Sequence, residues 1–407
     1  MTTECLPRSA APAKVPSPAR MGARAAVVVQ VLMSVAFLAA SSAPTPLYAM
    51  YQEQLHLTQF TVTVVFAAYA LALLAALLII GSLSDHLGRR AVILGALALE
   101  TAAMIVFAVS GNAAELISAR ILQGVATGAA TAALGAALAD LAPRRAPLVN
   151  SVAPIIGMAV GALGSAALAA SAPAPAMEVF VILIAVFALL LVAALFLPES
   201  ASRRPGALKS LRISVFVPPA ARKALLVASP VLIAVWAIGG FMLSLGPSLA
   251  RVQTGSASPM VGGWLVFALT SSGAVAVFTF GRLPAARVLV GGAGALLSGV
   301  AVTLGAVVAG QPVLLFLGVV VAGVGFGTGF QGAMRTILPL AQASERASLL
   351  STVYVISYLA MSVPAIAAGL LASMWGIELT AIVVGGIVIA LSALALGGML
   401  RESKAKG

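Results

Sequence analysis

Gly81-Ser82-Leu83-Ser84-Asp85-His86-Leu87-Gly88-Arg89-Arg90 sits between two apolar runs, at 59–83 and 91–110. Each run is long enough to cross about 30 Å of hydrocarbon, which takes roughly 20 helical residues. Lipid leaves backbone N–H and C=O groups satisfied only inside a helix or a closed barrel, so a short polar hinge between such runs marks a turn at a membrane surface. Read outward from this hinge, the rest of the chain repeats the same alternation.

The composition agrees. Of 407 residues, 61% are hydrophobic and 8% are charged, and the mean hydropathy is +1.13. Soluble domains run at roughly 45–50% apolar and 25% charged, so a water-soluble fold has too little polar surface to cover this chain. The net charge of +12 does not signal a nucleic-acid partner. The bases lie in short gaps between apolar runs and form no clustered patch on a water-facing domain. Cys5 is the only cysteine, which excludes disulfide frameworks and cysteine metal sites. With His56 and His86 as the only histidines, no zinc site of the H-E-x-x-H type exists, and no Walker motif is present. Gly327-Thr328-Gly329-Phe330-Gln331-Gly332 satisfies G-x-G-x-x-G, but it lies inside an apolar run, not between a strand and a helix. No metal, cofactor or nucleic acid is therefore expected. Nor does a nucleophile, base and orienter constellation suggest an enzyme.

Twelve membrane spans emerge, making an all-α membrane protein. The first six are 25–50, 59–83, 91–110, 113–138, 148–171 and 178–197; the second six are 225–250, 260–281, 288–309, 313–337, 347–373 and 377–400. The division between 288–309 and 313–337 rests on Gly310, Gln311 and Pro312 inside one long uncharged stretch. The gaps after spans 2, 4, 6, 8 and 10, with the two tails, hold nearly all gap bases, among them Arg89, Arg90, Arg144, Arg145, Arg203, Arg204, Lys209 and Arg346. The opposite gaps hold Arg251 beside Glu53, Glu115, Glu178 and Glu378. By the positive-inside rule, both termini are expected on the cytoplasmic side of the cytoplasmic membrane.

Residues 1–24, with Arg8, Lys14, Arg20 and Arg24 among Ala, Pro and Ser, read as a disordered basic cytoplasmic tail. They resemble the start of a secretory signal, but the apolar run that follows is too long for one. The expected layout is then a six-helix bundle at 25–198, a central cytoplasmic loop at 199–224, a second bundle at 225–400 and a tail at 401–407. The central loop carries Pro205, Pro218 and Pro219 and cannot be one regular helix.

Three landmarks recur at nearly one offset: Pro46 with Pro247, Gly81 and Leu83 with Gly281 and Leu283, and Gly124 and Gly128 with Gly325 and Gly329. Each pair falls in equivalent spans, as expected of two duplicated six-helix halves that rock about a site between them.

The hinge at 81–90 closely resembles the loop signature G-x-L-x-D-x-x-G-R-R of the major facilitator superfamily, with every key position filled. The resemblance implies the fold of that family, two pseudo-symmetric six-helix bundles. It also implies that Gly81, Asp85, Gly88, Arg89 and Arg90 are gate residues, that Asp85 faces the amino end of span 11 near Ala347 and Arg89 pairs with Asp140, and that these contacts hold the halves together while the outer side is open and break on switching. The equivalent loop of the second half has Ala285 in place of the aspartate and is expected to lack a charged latch.

Span 4 reads Arg120-Ile121-Leu122-Gln123-Gly124, similar to the family's R-x-x-Q-G signature, which accompanies proton-coupled members. Arg120 lies eight residues beyond Asn112, roughly 12 Å inside at 1.5 Å per residue. It faces a partner or an aqueous cavity, or it snorkels to the outer headgroups. Glu100, in span 3, lies roughly 15 Å from the inner surface. It carries a proton, neutralises Arg120, or is bonded internally on a peripheral helix. Span 5 reads Gly157-Met158-Ala159-Val160-Gly161-Ala162-Leu163-Gly164-Ser165. It matches the family's antiporter signature G-x-x-x-G-P-x-x-G-G only in part, since Ala162 replaces the proline and Ser165 the last glycine.

The resemblance places spans 1, 4, 7 and 10 around a cavity, helped by 2, 5, 8 and 11. Those spans offer Ser41, Ser42, Tyr69, Gln123, Thr127, Trp236, Phe241, Phe330, Gln331, Tyr354 and Tyr358 as contacts, a lining suited to neutral or amphipathic molecules. The expected function is proton-coupled efflux of a small organic compound, in the manner of the twelve-helix drug/proton antiporter-like branch. An uptake permease for a sugar or organic acid and a transport-inactive receptor or scaffold are the alternatives. Its partners are the substrate, protons and membrane lipid, and the chain is expected to be a monomer.

Overall fold

The computed structural model describes residues 21–201, 204–207, 211, 213–342 and 344–404. Cys5 and most of the expected tail at 1–24 lie outside that set. Among the described residues, all regular structure is helical, and twelve helices are long and apolar enough to cross a membrane.

The first half runs α1 (Ala23–Ser42), α2 (Tyr48–Gln54), α3 (Gln59–Ile80), α4 (Ser84–Leu87), α5 (Arg89–Val109), α6 (Ala113–Leu141), α7 (Ala146–Ser171) and α8 (Pro175–Ala194). The second runs α9 (Pro219–Ser244), α10 (Gly246–Thr254), α11 (Pro259–Phe280), α12 (Ala285–Ala309), α13 (Pro312–Ile337), α14 (Arg346–Trp375) and α15 (Ile377–Lys404). An even number of crossings puts both termini at one end, called here the terminal end; the other is the far end.

Two expected spans are not single helices. The stretch 25–50 stops at Ser42, turns through 43–47 and resumes as α2; the stretch 225–250 stops at Ser244 and resumes as α10. Proline inside a helix removes a hydrogen bond and clashes with the preceding turn. Pro44 and Pro46 fall in the first break, and Pro247 falls in the first turn of α10. The same collar helix thus follows the first crossing of each half, at the very landmarks that recur in sequence.

The central connection also ends earlier than 224. With Pro218 as its N-cap and Pro219 in its first turn, α9 starts where the prolines are, because the fixed φ and missing N–H of proline suit the first helical position. At the other end of the chain α15 passes 400 and reaches Lys404. The division at Gly310 is as expected. Gly310 caps α12 at φ +62° and Pro312 opens α13.

Buried apolar side chains form two cores, one built mainly on the first half and joined across the seam by Leu243, Val266, Met361 and Ala365, and one on α9 to α15. Lipid tails are as apolar as leucine, so helices in a membrane associate through close packing, and small residues permit it. Gly128 shows how: a Cβ there would lie 2.7 Å from the Ala76 Cβ and 2.8 Å from the Leu73 carbonyl, so only glycine lets α6 rest on the backbone of α3.

The halves meet where α3 packs on α14 and α7 on α11. Polar links across the seam gather at the far end. Arg251 Nη2 donates to Glu53 Oε1 at 2.8 Å, Ser248 Oγ to Gln52 Oε1 at 3.5 Å, and the Phe60 amide to Ser373 Oγ at 3.3 Å.

Candidate functional site

Arg120 and Glu100 are both 0% exposed, inside the first half. Arg120 therefore does not snorkel. Its guanidinium donates to the Ser41 carbonyl at 2.8 Å, to Gln123 Oε1 at 2.7 Å and to the Tyr48 hydroxyl. The rings of Tyr48, Tyr69 and Phe107 lie 5.4–5.7 Å from its carbon Cζ. Gln123 Nε2 donates in turn to Glu100 Oε1 at 3.1 Å.

A charge at this depth costs several kcal/mol unless it is answered. The arrangement answers it with oriented oxygens and ring faces close by, and links it through an amide to a carboxyl group that can supply the opposite charge. Among the described residues the two charges make no direct ion pair. Glu100 Oε2 and Arg120 Nε are buried without a hydrogen-bond partner, so the network is not closed.

The second half presents rings. Trp236 of α9 meets Phe330 of α13 edge-on at 5.5 Å and Tyr358 of α14 at 5.2 Å, and Tyr354 lies 6.2 Å from Tyr358. Trp236 and Tyr358 also pack against the core of the first half, which includes Tyr69. The wall therefore stands at the seam, opposite the buried network.

At the terminal end, Gly88 turns the chain at φ +96°, a conformation that side chains with a Cβ rarely adopt. Glu199, just beyond α8, accepts the Arg89 amide at 2.7 Å and the Arg90 amide at 3.2 Å. A carboxylate there satisfies two orphan donors at the positive end of α5. Arg89 binds Asp85, reaches Asp140 Oδ2 at 3.4 Å and donates to Ser84 Oγ at 2.6 Å; Ser200 Oγ donates to Asp140 Oδ2 at 2.9 Å. The Arg89–Asp140 pair is the one expected from the resemblance.

Asp85 is not engaged with the second half in this conformation, in which the far end is sealed. Its carboxylate pairs with Arg89 of its own half, and among the described residues no ion pair joins it to the start of α14. The halves are fastened at the far end, which leaves Asp85 half exposed. In the second half Ala285 opens α12, and Arg335 donates to the Leu283 carbonyl at 2.8 Å, so that loop is closed by a cation and a backbone oxygen.

The other sequence-predicted contacts separate. Tyr69, Gln123 and Thr127 are buried in the first half, with Arg120 over the Tyr69 ring. Ser41 contributes its carbonyl, while its hydroxyl returns to Leu38. Ser42 donates to the Met158 carbonyl and ties α1 to α7, Phe241 is 2% exposed inside the second core, and Gln331 donates to the Val277 carbonyl between α13 and α11. These three serve packing. Gly81 ends α3, and the Arg90 guanidinium donates to the Leu195 carbonyl.

Two residues escaped the sequence reading. Tyr48 reaches Arg120 only because the chain turns at 43–47, which hydropathy does not reveal. Glu199 had a signal, as an acid directly after an apolar run on the basic side, where bases dominate.

The family model described as Major Facilitator Superfamily matches residues 31–283, well over half the chain. Among solved structures, a mutant of the nucleoside transporter NupG aligns with a TM-score of 0.73 at 13% identity, covering 93% of this chain and 100% of that one. The human organic anion transporter MFSD10 (TETRAN) aligns with a TM-score of 0.66 at 18% identity, covering 92% and 100%. At such identities the likeness is one of fold. No curated protein sequence matches the chain. Family model, twelve crossings and fold together establish that this chain belongs to the Major Facilitator Superfamily and is a transporter, not an enzyme.

Proposed function

We propose that the protein moves a small organic molecule across the cytoplasmic membrane by alternating access, with export driven by inward proton flow. The observation that carries this reading is the Arg120–Gln123–Glu100 chain. It is a titratable carboxylate and a fixed cation, both 0% exposed, linked through one amide and each left with an unbonded atom. A group that gains and loses a proton during a cycle has to exchange an internal partner for water or substrate, and an open network allows that. Arg120 holds the positive charge that Glu100 balances when ionised; protonation of Glu100 leaves that charge to the surrounding oxygens and rings. The placement of nearly all gap bases at the terminal end supports cytoplasmic termini. The two fold relatives move a nucleoside and organic anions by their titles, which supports a small organic cargo.

Import by proton symport is the second reading. Ala162, 0% exposed, and Ser165, whose hydroxyl donates to the Ala43 carbonyl at 2.6 Å, stand where an antiporter signature has proline and glycine. Inside-out vesicles with an imposed pH gradient, screened over a compound panel, separate the two. Export predicts accumulation when the vesicle interior is acid; accumulation only under the reverse gradient selects symport, and no gradient-dependent flux of any compound sinks both.

A further inference from the structure

We propose that the seam site takes a flat, uncharged ring compound with hydrogen-bond acceptors along its edge. This rests on the transport reading above, with the substrate at the seam where the expected cavity contacts Trp236, Phe330, Tyr354 and Tyr358 meet, and adds the chemical class.

Charge is the first argument. In the second half no Asp, Glu, Lys or Arg occurs between Lys223 and Arg251, Arg251 and Arg282, Arg287 and Arg335, or Arg346 and Glu378. The middle of every crossing there is neutral. In the first half the two mid-depth ionisable groups are Arg120 and Glu100, both fully buried. Arg120 is covered by three rings and holds three oxygens, and Glu100 stands behind Gln123. A net ion entering the seam finds no exposed counter-charge to replace its hydration.

Shape is the second. Trp236, Phe330, Tyr354 and Tyr358 form a continuous wall of rings at tilted and edge-on angles, drawn from three helices. An aromatic ligand can meet such rings offset-stacked or edge-on, a gain beyond the area it buries that a saturated ring does not make.

Unanswered polarity is the third. Trp236 Nε1–H is buried with no hydrogen-bond partner. A tryptophan N–H only donates, and a buried donor without an acceptor is costly. A ligand bearing edge acceptors supplies what Trp236 lacks, at a wall that packs against the first-half core containing Tyr69.

Four compounds test the class: 2-quinolone, flat and neutral with a carbonyl; its ring-saturated lactam, which keeps the amide but puckers; 1-methylquinolinium; and quinoline-2-carboxylate. Saturable binding of tritiated 2-quinolone to the purified full-length protein is measured, with the others as competitors. The lactam and each ion are expected to compete at least about tenfold more weakly, from the loss of several ring contacts or the entry of an unpaired charge. Trp236→Phe keeps an aromatic ring but removes the N–H donor and part of the indole face, and is expected to bind 2-quinolone at least about fivefold more weakly, the worth of one ordinary hydrogen bond. No saturable binding, competition by lactam or ions within threefold of 2-quinolone itself, or unchanged affinity of the Phe variant, overturns the assignment. Binding with this preference but without gradient-driven flux would refute the transport reading and leave the ligand class standing. Flux with no such preference does the reverse.

Discussion

Arg120 is held by geometry that another cation does not reproduce. The guanidinium fork reaches Ser41, Gln123 and Tyr48 from one planar group, whereas an ammonium is a compact point charge on a flexible stem. Arg120→Lys is therefore expected to insert normally yet lose at least about tenfold in gradient-driven flux, the effect of about one charge-assisted hydrogen bond; wild-type flux in this variant removes the fork from the mechanism. Glu100→Gln tests the other end. It keeps the size and the bond from Gln123 but cannot ionise, so substrate exchange without a gradient should continue while the pH gradient loses its effect. A variant that still accumulates substrate against its gradient would show that the proton travels elsewhere. The Arg120, Gln123 and Glu100 positions were legible because charges deep in an apolar run are rare and expensive. Their joining was not, since it depends on which faces of α5 and α6 meet, and nothing in the apolar pattern of a lipid-surrounded helix marks that face clearly.

At the scale of elements, the sequence announced the crossings better than the way they begin and end. Hydropathy gives the count because lipid demands about 20 apolar residues for each crossing, but it does not separate a helix from a helix-turn-helix of equal polarity. That is why α2 and α10 were absorbed into the crossings before them. Proline was the missing cue twice, as a breaker at 44 and 46 and as a starter at 219. The hinge before α5 offers a direct test. Alanine at position 88 would have to adopt φ +96°, and its Cβ would lie 2.5 Å from Glu199 Oε2. Gly88→Ala is expected to cost about 1–3 kcal/mol of local strain and to displace the carboxylate that caps α5. Glu199→Gln should cost less, because an amide oxygen still accepts one of the two amide protons. Thermal unfolding of the purified protein should rank wild type above Glu199→Gln and Glu199→Gln above Gly88→Ala. The opposite order of the two variants would mean that the cap matters more than the turn.

For the whole molecule the governing asymmetry is that polar links across the seam gather at the far end, while Asp85 at the terminal end is bound only within its own half. The far-end pair is exposed, with Glu53 at 66% and Arg251 at 26%, and such pairs are worth about 0–1 kcal/mol. In the opposite conformation, Asp85 against the amino end of α14 would gain about 0.3–1 kcal/mol from the helix dipole. Two terms of similar size and opposite effect make a balanced switch, and a change of about 1 kcal/mol moves its equilibrium roughly fivefold. Cysteines at 52 and 248, in a background where the single Cys5 is replaced by serine, would report the closed far end by their rate of disulfide formation. Asp85→Asn removes the competitor of the far-end seal and should raise that rate, while Glu53→Gln weakens the seal and should lower it. The double variant should fall near the product of the two single factors, because the sites lie at opposite ends of the bundle. With its cycle biased to one side, Asp85→Asn should also transport poorly despite normal insertion. If both single changes move the crosslinking rate in the same direction, the two ends are not opposing latches on one equilibrium, and the transport defect needs a local cause.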